Sequence, residues 1–328
     1  MMTADASAGW PPAPDTPQLV APGVLHLLAP NASSWTYEGT NSYVLFGGDA
    51  AVIVDPGFED AAHHEALRSA AQADGRRVVG VLLTHDHPDH SDGARTVAAS
   101  LGVPIIAMSP RFADEFLTDG QVLRIGELEA HVIHTPGHSD DSVCLWLPQA
   151  STLLTGDTLL GARSSGVMGT LSELLDSLEK LRAFVGEREV LALPGHGPAF
   201  RNVVESAMRV IDVRMQRINE VRGFIADGTT SLEGLTALLY PKHAGSRAMF
   251  AVSTVVSTVN YLLEQPDALS SDAREKLTAE LERYDRMIAE RMKAHKESVD
   301  AEAERPQSGS DSAKASDEDS DERKEERV

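Results

Sequence analysis

Short apolar runs separated by Gly-, Pro- and Asp-containing turns recur between residues 42 and 193. Such runs are typical of buried strands, and the two that flank Gly47-Gly48-Asp49 predict a hairpin over 42–46 and 50–55. Stretches with helical spacing lie between the strands, so layered α/β architecture is expected. The other predicted strands are 78–83, 105–108, 130–134, 143–147, 151–154 and 190–193, and the predicted helices are 60–73, 93–100 and 171–184.

Helical spacing replaces this alternation after Pro198. In the last segment Leu277, Leu281, Tyr284 and Ile288 repeat at the helical period. The change predicts a domain boundary near residue 200, with an α/β domain over 18–200 and a small helical domain over 201–295. The helices predicted in the second domain are 203–226, 231–239, 249–263 and 271–293.

The two ends of the chain differ from the rest in composition. Residues 1–17 carry four prolines and predict a flexible leader. Residues 296–328 hold 12 acidic and six basic residues with almost no large apolar ones, which predicts a disordered acidic tail. Because no Lys or Arg precedes Arg68 and the apolar run 78–83 is short, we expect no targeting signal, no membrane span and a cytoplasmic location.

Charge narrows the classes of function. The 328 residues include 50 acidic and 29 basic ones, a net charge of -21, which argues against a uniformly basic nucleic-acid coat. Residues 198–250 run against this trend, with seven basic residues against five acidic ones. They could guide a phosphate backbone, or they could form a solvated helix face with intrahelical ion pairs. A single cysteine, Cys144, excludes an internal disulfide and predicts a buried, inert thiol.

Histidine placement points to a metal site. Six of the 12 histidines lie between residues 85 and 138, and the sequence HDHPDH over 85–90 directly follows the predicted strand 78–83. Imidazole and carboxylate groups together suit zinc, iron or manganese. Pro88 and its polar neighbours predict a loop rather than a regular helix. His63 and His64, on a predicted helix, are expected to be exposed.

Four further strands are followed by Gly- or Pro-containing turns that carry ligand-type residues. A rigid scaffold can bring such turns into one site. His131 and His134 lie on the strand before one turn and are interpreted as strand or pocket residues rather than ligands. The four turns are Asp55-Pro56-Gly57, the segment from Thr135 to His138, Gly156-Asp157-Thr158 and Gly195-His196-Gly197.

The order of these motifs resembles the metallo-β-lactamase superfamily over about residues 20 to 200. The resemblance implies an αββα sandwich with two divalent metal ions, expected to be zinc, at one edge. It also implies hydrolysis by a hydroxide bridged between the ions, with Asp89 and Asp157 as catalytic residues. The implied ligands are His85, His87 and His138 for one ion, Asp89, His90 and His196 for the other, and Asp157 bridging both, while Asp55 orients a ligand.

Further motifs narrow the resemblance. Asp157 argues against antibiotic hydrolysis, because true β-lactamases of this fold lack that bridging residue, and His87 argues against the flavodiiron proteins. Residues 38–43, 138–142 and 156–161 and the helical extension look like the β-lactamase-like protein 2 group. That group implies a winged-helix-like C-terminal domain, and some of its members cleave single-stranded RNA.

Several substrates and one other reaction class stay open. Similarity to the hydroxyacylglutathione hydrolases implies a small ester or thioester, whereas the β-lactamase-like protein 2 group implies a phosphodiester in single-stranded RNA. A mononuclear iron enzyme similar to the persulfide dioxygenases uses comparable ligands. We expect no membrane partner and allow for a homodimer.

Overall fold

The computed structural model describes residues 10–161, 163, 165–241 and 246–303, with side chains described up to residue 241 and from 251 to 294. Two compact units divide the chain, Met1–Glu280 and Leu281–Val328. The described part of the second unit, residues 281–303, is helical throughout.

Seven strands form the first sheet, in which each strand pairs with its neighbours in sequence. The first four are antiparallel, and β4 to β7 are parallel. The strands are β1 (Gln18–Ala21), β2 (Val24–Leu28), β3 (Asn41–Gly47), β4 (Ala50–Val54), β5 (Arg77–Leu82), β6 (Ile105–Ala107) and β7 (Glu115–Phe116).

A second sheet of five strands has the order β12-β11-β10-β9-β8. Its β11–β12 pair is parallel, and its other pairs are antiparallel. Inward-facing side chains of both sheets, such as Val52, Leu145 and Leu154, form one buried core between them. The strands are β8 (Val122–Ile125), β9 (Leu128–His134), β10 (Val143–Leu147), β11 (Thr152–Gly156) and β12 (Leu191–Pro194).

Helices cover the outer faces of the two sheets. Helices α1 (Ala61–Gln72) and α3 (Ala94–Leu101) bury Leu67 and Val97 in a second core with Ile53 and Val81 of the first sheet. Helix α4 (Leu171–Val185) begins at a capping box of Thr170 and Glu173 and packs Phe184 against Trp146 of β10. This arrangement confirms the predicted α/β sandwich.

The described residues after 200 contain four helices. They are α5 (Val203–Ala226), α6 (Leu232–Leu239), α7 (Ser246–Glu264) and α8 (Ser271–Ala303). The described residues of 201–303 contain no strand, so the expected winged-helix-like character is not confirmed. The predicted boundary near residue 200 stays a prediction.

Parts of both predicted flexible ends lie within the described residues. Helix α8 continues to Ala303, so the first residues of the predicted tail are helical, while 304–328 lie outside the described residues. Residues 1–9 of the predicted leader also lie outside the described residues. Within the rest of the leader, Asp15 donates its backbone N–H to the Leu28 carbonyl, and its side chain pairs with His63 at 2.7 Å. None of the described helices combines the length and apolar character needed to cross a bilayer.

Two local predictions are wrong. Residues Pro88–Ser91 form a one-turn helix, α2, where a loop was expected. Proline is compatible with the first turn because that position needs no backbone donor. His63 and His64 are buried, and their rings bond Ser42 and the Phe58 carbonyl at 2.9 Å each. Helical spacing alone did not show that this face of α1 lies against the first sheet.

Candidate metal centre

The HDHPDH segment brings its polar side chains to the edge of the sandwich. Strand β5 ends at Leu82, and the chain then turns so that His85 is buried. His87 precedes helix α2 as its N-cap residue, which places Asp89 and His90 in the single turn that follows. A strand end and one helical turn thus present four candidate ligands from six consecutive residues.

Three imidazoles form the first group of candidate ligands, and a strand turn of the second sheet supplies one of them. Nε2 of His85 lies 3.1 Å from Nδ1 of His87. Nε2 of His138 lies 2.9 Å from the same Nδ1 atom. Three nitrogen atoms that converge in this way can hold a divalent ion.

A second group lies beside the first and contains Asp89, His90 and His196. The Nε2 atoms of the two histidines are 3.3 Å apart. Oδ2 of Asp89 lies 3.1 Å from Nε2 of His196 and 3.7 Å from Nε2 of His90. Two imidazoles and a carboxylate are again a ligand set that zinc accepts.

Asp157 lies between the two groups. Its Oδ2 is 3.7 Å from Nε2 of His138 and 3.4 Å from Nε2 of His196, while its Oδ1 is 3.6 Å from Nε2 of His90. That Oδ1 atom is buried and has no hydrogen-bond partner among the described residues. A buried carboxylate oxygen without a donor is costly unless a cation satisfies it, so the residues fit a metal centre.

In four of the five candidate histidine ligands, a hydrogen bond on the far side of the ring fixes which nitrogen faces the centre. In His85, His90, His138 and His196 the Nδ1–H group donates outward, which leaves the Nε2 lone pair directed inward. The four acceptors are Thr84 Oγ1 at 3.1 Å, Asp55 Oδ2 at 2.9 Å, the Gly166 carbonyl at 3.1 Å and the Gly39 carbonyl at 3.1 Å, respectively.

Asp55 connects two of these rings. It is buried and accepts hydrogen bonds from the backbone N–H of Thr84 at 2.8 Å and from its hydroxyl at 2.6 Å. Because Thr84 donates its hydroxyl hydrogen to Asp55, the same oxygen is free to accept from His85. Asp55 adopts a positive φ of 50°, which Asp tolerates better than most residues.

Burial and charge set the protonation of the centre. Burial lowers the pKa of His87 to about 4 and that of His85 well below its ordinary value, so both are neutral near pH 7. Burial also disfavours a charge on His196, but Asp157 and Asp89 outweigh it and raise its pKa to about 11. The carboxylates therefore attract positive charge, as a proton or as a metal ion.

The segment over residues 38–43 holds the turn that carries His196. Asn41 donates from its side chain to the carbonyls of Pro194 at 2.9 Å and Gly197 at 2.8 Å. The Tyr43 hydroxyl also donates to the Pro194 carbonyl, at 2.7 Å. These polar residues, singled out in the sequence only as a motif, position a candidate ligand more than 150 residues away.

Gly195 must be a glycine for this turn to approach the centre. A Cβ atom at that position would overlap Asp157 Oδ1 and the His90 ring. Glycine therefore allows the backbone to pass directly beside two candidate ligands.

A cluster of Tyr37, Glu38 and Arg163 lies next to His196 and was not assigned from the sequence. Arg163 forms two hydrogen bonds to Glu38, at 2.7 and 2.9 Å, and its guanidinium lies 4.1 Å from the Tyr37 ring centre. The Tyr37 ring meets the His196 ring edge-on, with centres 6.3 Å apart. No periodicity or spacing links residues 37 and 163, so only the fold shows the cluster.

The remaining polar residues of interest lie outside the centre. His134, at the end of β9, bonds the Asp140 carbonyl at 2.9 Å, and His131 lies on the same strand 3.6 Å from Glu129. Cys144 is fully buried, as expected, and burial raises the pKa of its thiol to about 11.

Comparison with known proteins gives the class. A family model described as the metallo-beta-lactamase superfamily matches residues 35–196. The "Beta-lactamase-like protein 2 homolog" of Caenorhabditis elegans is 30% identical over 209 residues, which cover 60% of this chain and 69% of that protein. The chain belongs to the metallo-β-lactamase superfamily and is an enzyme of this hydrolytic family.

Thioesterases are among the similar proteins. An "Atrochrysone carboxyl ACP thioesterase" of Aspergillus fumigatus is 32% identical over 215 residues, which cover 63% of this chain and 67% of the relative. A protein from Paecilomyces divaricatus that is also named an atrochrysone carboxyl ACP thioesterase is 32% identical. The match covers 60% of this chain and 62% of that protein. The chain thus spans less than two thirds of that second relative.

Solved structures share the fold. A β-lactamase domain protein from Burkholderia ambifaria superposes with a TM-score of 0.68 at 22% identity, covering 82% of this chain and 98% of that one. A metallo-β-lactamase family protein from Thermus thermophilus gives a TM-score of 0.61 at 23% identity, covering 74% of this chain and 94% of that one.

Proposed function

We propose that the chain is a hydrolase of acyl thioesters that uses two divalent metal ions, with zinc the expected metal. One observation carries the proposal: two groups of converging ligand atoms face each other, and a buried oxygen of Asp157 between them has no partner among the described residues. His85, His87 and His138 would hold one ion, Asp89, His90 and His196 the other, and Asp157 both.

Two divalent ions at such a centre supply hydroxide from water near neutral pH and polarise a carbonyl oxygen. The side chains of this chain provide the geometry. The outward Nδ1–H bonds keep four imidazoles in the ligating tautomer. Asp89 and Asp157 would partly neutralise four positive charges while leaving the centre cationic, so that an anionic or polarised oxygen is bound.

The choice of thioester rests on the relatives. The thioesterases of Aspergillus fumigatus and Paecilomyces divaricatus support it. Single-stranded RNA is the second candidate substrate. The Caenorhabditis elegans relative is named as a homolog of β-lactamase-like protein 2, and this chain resembles that group, some of whose members cleave single-stranded RNA. The mildly basic segment over residues 198–250 supports RNA binding less strongly than its composition suggested. Arg214 is buried, and Arg217 forms an ion pair with Glu220 of the same helix at 2.6 Å.

A mononuclear iron enzyme is the alternative of another reaction class. It would need one group of three ligands and would leave the second group without a metal role. Metal analysis separates the two. Close to two zinc ions per chain supports the proposal, and one iron per chain contradicts it.

The decisive experiment combines a substitution with two substrate classes. Purified protein is assayed on S-lactoylglutathione, on an acyl-pantetheine thioester and on single-stranded RNA. Asp157→Ala should lower thioester hydrolysis at least about 1000-fold while the protein still folds, because the substitution removes the carboxylate that lies between the two groups of ligands. The exposed Asp176 of α4 provides the control, Asp176→Ala, which should retain activity.

Undiminished thioester hydrolysis in Asp157→Ala would contradict the two-metal mechanism. RNA cleavage without thioester hydrolysis by the unmodified protein would replace the proposed substrate with the second candidate.

A further inference from the structure

Helix α5 of the C-terminal extension reaches the segment that follows β11. The Arg214 side chain is buried and donates from Nη2 to the carbonyl oxygen of Ser165 at 2.7 Å. A hydrogen bond from a buried guanidinium is charge-assisted and is stronger than one between neutral groups. Arg214 therefore ties the extension to a loop of the α/β sandwich.

That loop is bonded directly to the turn that carries His138. The Gly166 carbonyl accepts from Nδ1 of His138 at 3.1 Å. Farther along, Met168 donates its backbone N–H to the His138 carbonyl at 3.0 Å, and Gly169 donates to the Gly137 carbonyl at 3.2 Å. The ring and the backbone of one candidate ligand thus depend on residues 166–169.

We propose that Arg214 is a positioning residue for the metal centre. By holding the Ser165 carbonyl, it fixes the adjoining Gly166 peptide, whose carbonyl keeps the His138 ring turned with Nε2 towards His87. The extension is then a structural requirement of the metal centre and not only an appendage to the sandwich. The inference rests on the proposed metal centre but not on the choice of substrate.

Outer contacts of this kind change metal affinity by about 10- to 100-fold when the residue bonded to the ligand is altered. Arg214 acts one peptide farther away, so Arg214→Gln should weaken binding by about 10-fold. Cobalt is the probe, because its binding is followed by its visible spectrum in competition with a chelator. The matched control is Arg209→Gln, an exposed arginine on the same helix, which should bind cobalt as the unmodified protein does.

A second pair of measurements separates positioning from general destabilisation. In a His138→Ala background, Arg214→Gln should have no further effect on cobalt affinity, because the ring on which it acts is gone. Arg214→Lys retains the buried charge but has one donor nitrogen in place of three. Its cobalt affinity should therefore lie between those of the unmodified protein and Arg214→Gln.

The proposal is overturned if Arg214→Gln binds cobalt with unchanged affinity, or if its effect persists in the His138→Ala background. If Arg214→Gln does not fold, the lysine variant decides, and an unchanged affinity there also overturns the proposal. Loss of cobalt affinity in a protein that hydrolyses none of the thioesters would leave this inference standing and contradict only the proposed substrate.

Discussion

The carboxylate of Asp55 accepts a hydrogen bond of 2.9 Å from Nδ1 of His90, although one residue follows a strand and the other lies in a helix 35 positions later. The same carboxylate accepts two bonds from Thr84, which in turn accepts from His85. One buried acid thus orients two rings that belong to different groups of candidate ligands.

Replacing this acid should weaken metal binding while preserving the fold. Asp55→Asn keeps the shape but offers an amide that can accept through only one oxygen, so at least one of the three donors loses its acceptor. We expect zinc affinity to fall about 10- to 100-fold, measured by chelator competition.

Asp74 provides a matched control because it also has a positive φ, of 55°, and its side chain is 89% exposed. Asp74→Asn should leave zinc affinity unchanged. If both variants bind zinc as tightly as the unmodified protein, Asp55 does not orient the ligands.

Gly195→Ala should damage the centre without a charge change. The added methyl group overlaps Asp157 and His90, and the turn must shift to accommodate it. A destabilisation of about 1–3 kcal/mol is expected from overpacking, with a loss of zinc affinity. Chemical denaturation and chelator competition measure the two effects.

Gly223 on α5 is the control, because a Cβ atom there meets nothing within 4 Å. Gly223→Ala should stabilise the protein by up to about 1 kcal/mol through helix propensity. Equal effects of the two alanines on zinc affinity would show that the close approach at Gly195 is unimportant.

Asp141 should make stability fall with rising pH. Burial raises the pKa of its carboxyl to about 6, although Ser139 donates to it at 2.7 Å. In the folded protein it therefore holds its proton above the pH at which the unfolded chain releases it, and stability is lost between about pH 4 and pH 6.

Asp141→Asn removes this loss. It should match the unmodified protein near pH 4 and exceed its stability by about 1 kcal/mol at pH 8, after allowance for partial exposure. Urea denaturation at the two pH values measures the difference. A difference that shrinks as pH rises would contradict the assignment.

Metal removal should destabilise the protein. A ligand that binds only the folded chain adds about 2.7 kcal/mol at a concentration 100 times its dissociation constant, so zinc added after chelation should raise Tm by several degrees. Differential scanning calorimetry with and without zinc tests this. In Asp157→Ala, zinc should raise Tm by less than it does in the unmodified protein. An equal rise of Tm in the two proteins would show that zinc binds outside the proposed centre.

Much of the fold was predictable because its strands are continuous apolar runs with turn residues at their ends. The predicted strand 143–147 coincides with β10, and the predicted helix 203–226 coincides with α5. Strands β1, β2, β7 and β8 were missed. Of these, β1 and β8 mix exposed and buried positions without a clear alternation. The burial of His63 was missed because its partners, Asp15 and Ser42, lie far from it in sequence.

By itself, the sequence determined the order of strands and helices and the chemical types that leave each strand, because both follow from local patterns of polarity and turn residues. Tertiary structure alone decided which nitrogen of His90, His138 and His196 faces the centre, since the acceptors that fix these rings are Asp55, Gly166 and Gly39. It also decided the contact between Arg214 and Ser165. Such contacts depend on how distant segments pack, and no local pattern along the chain encodes them.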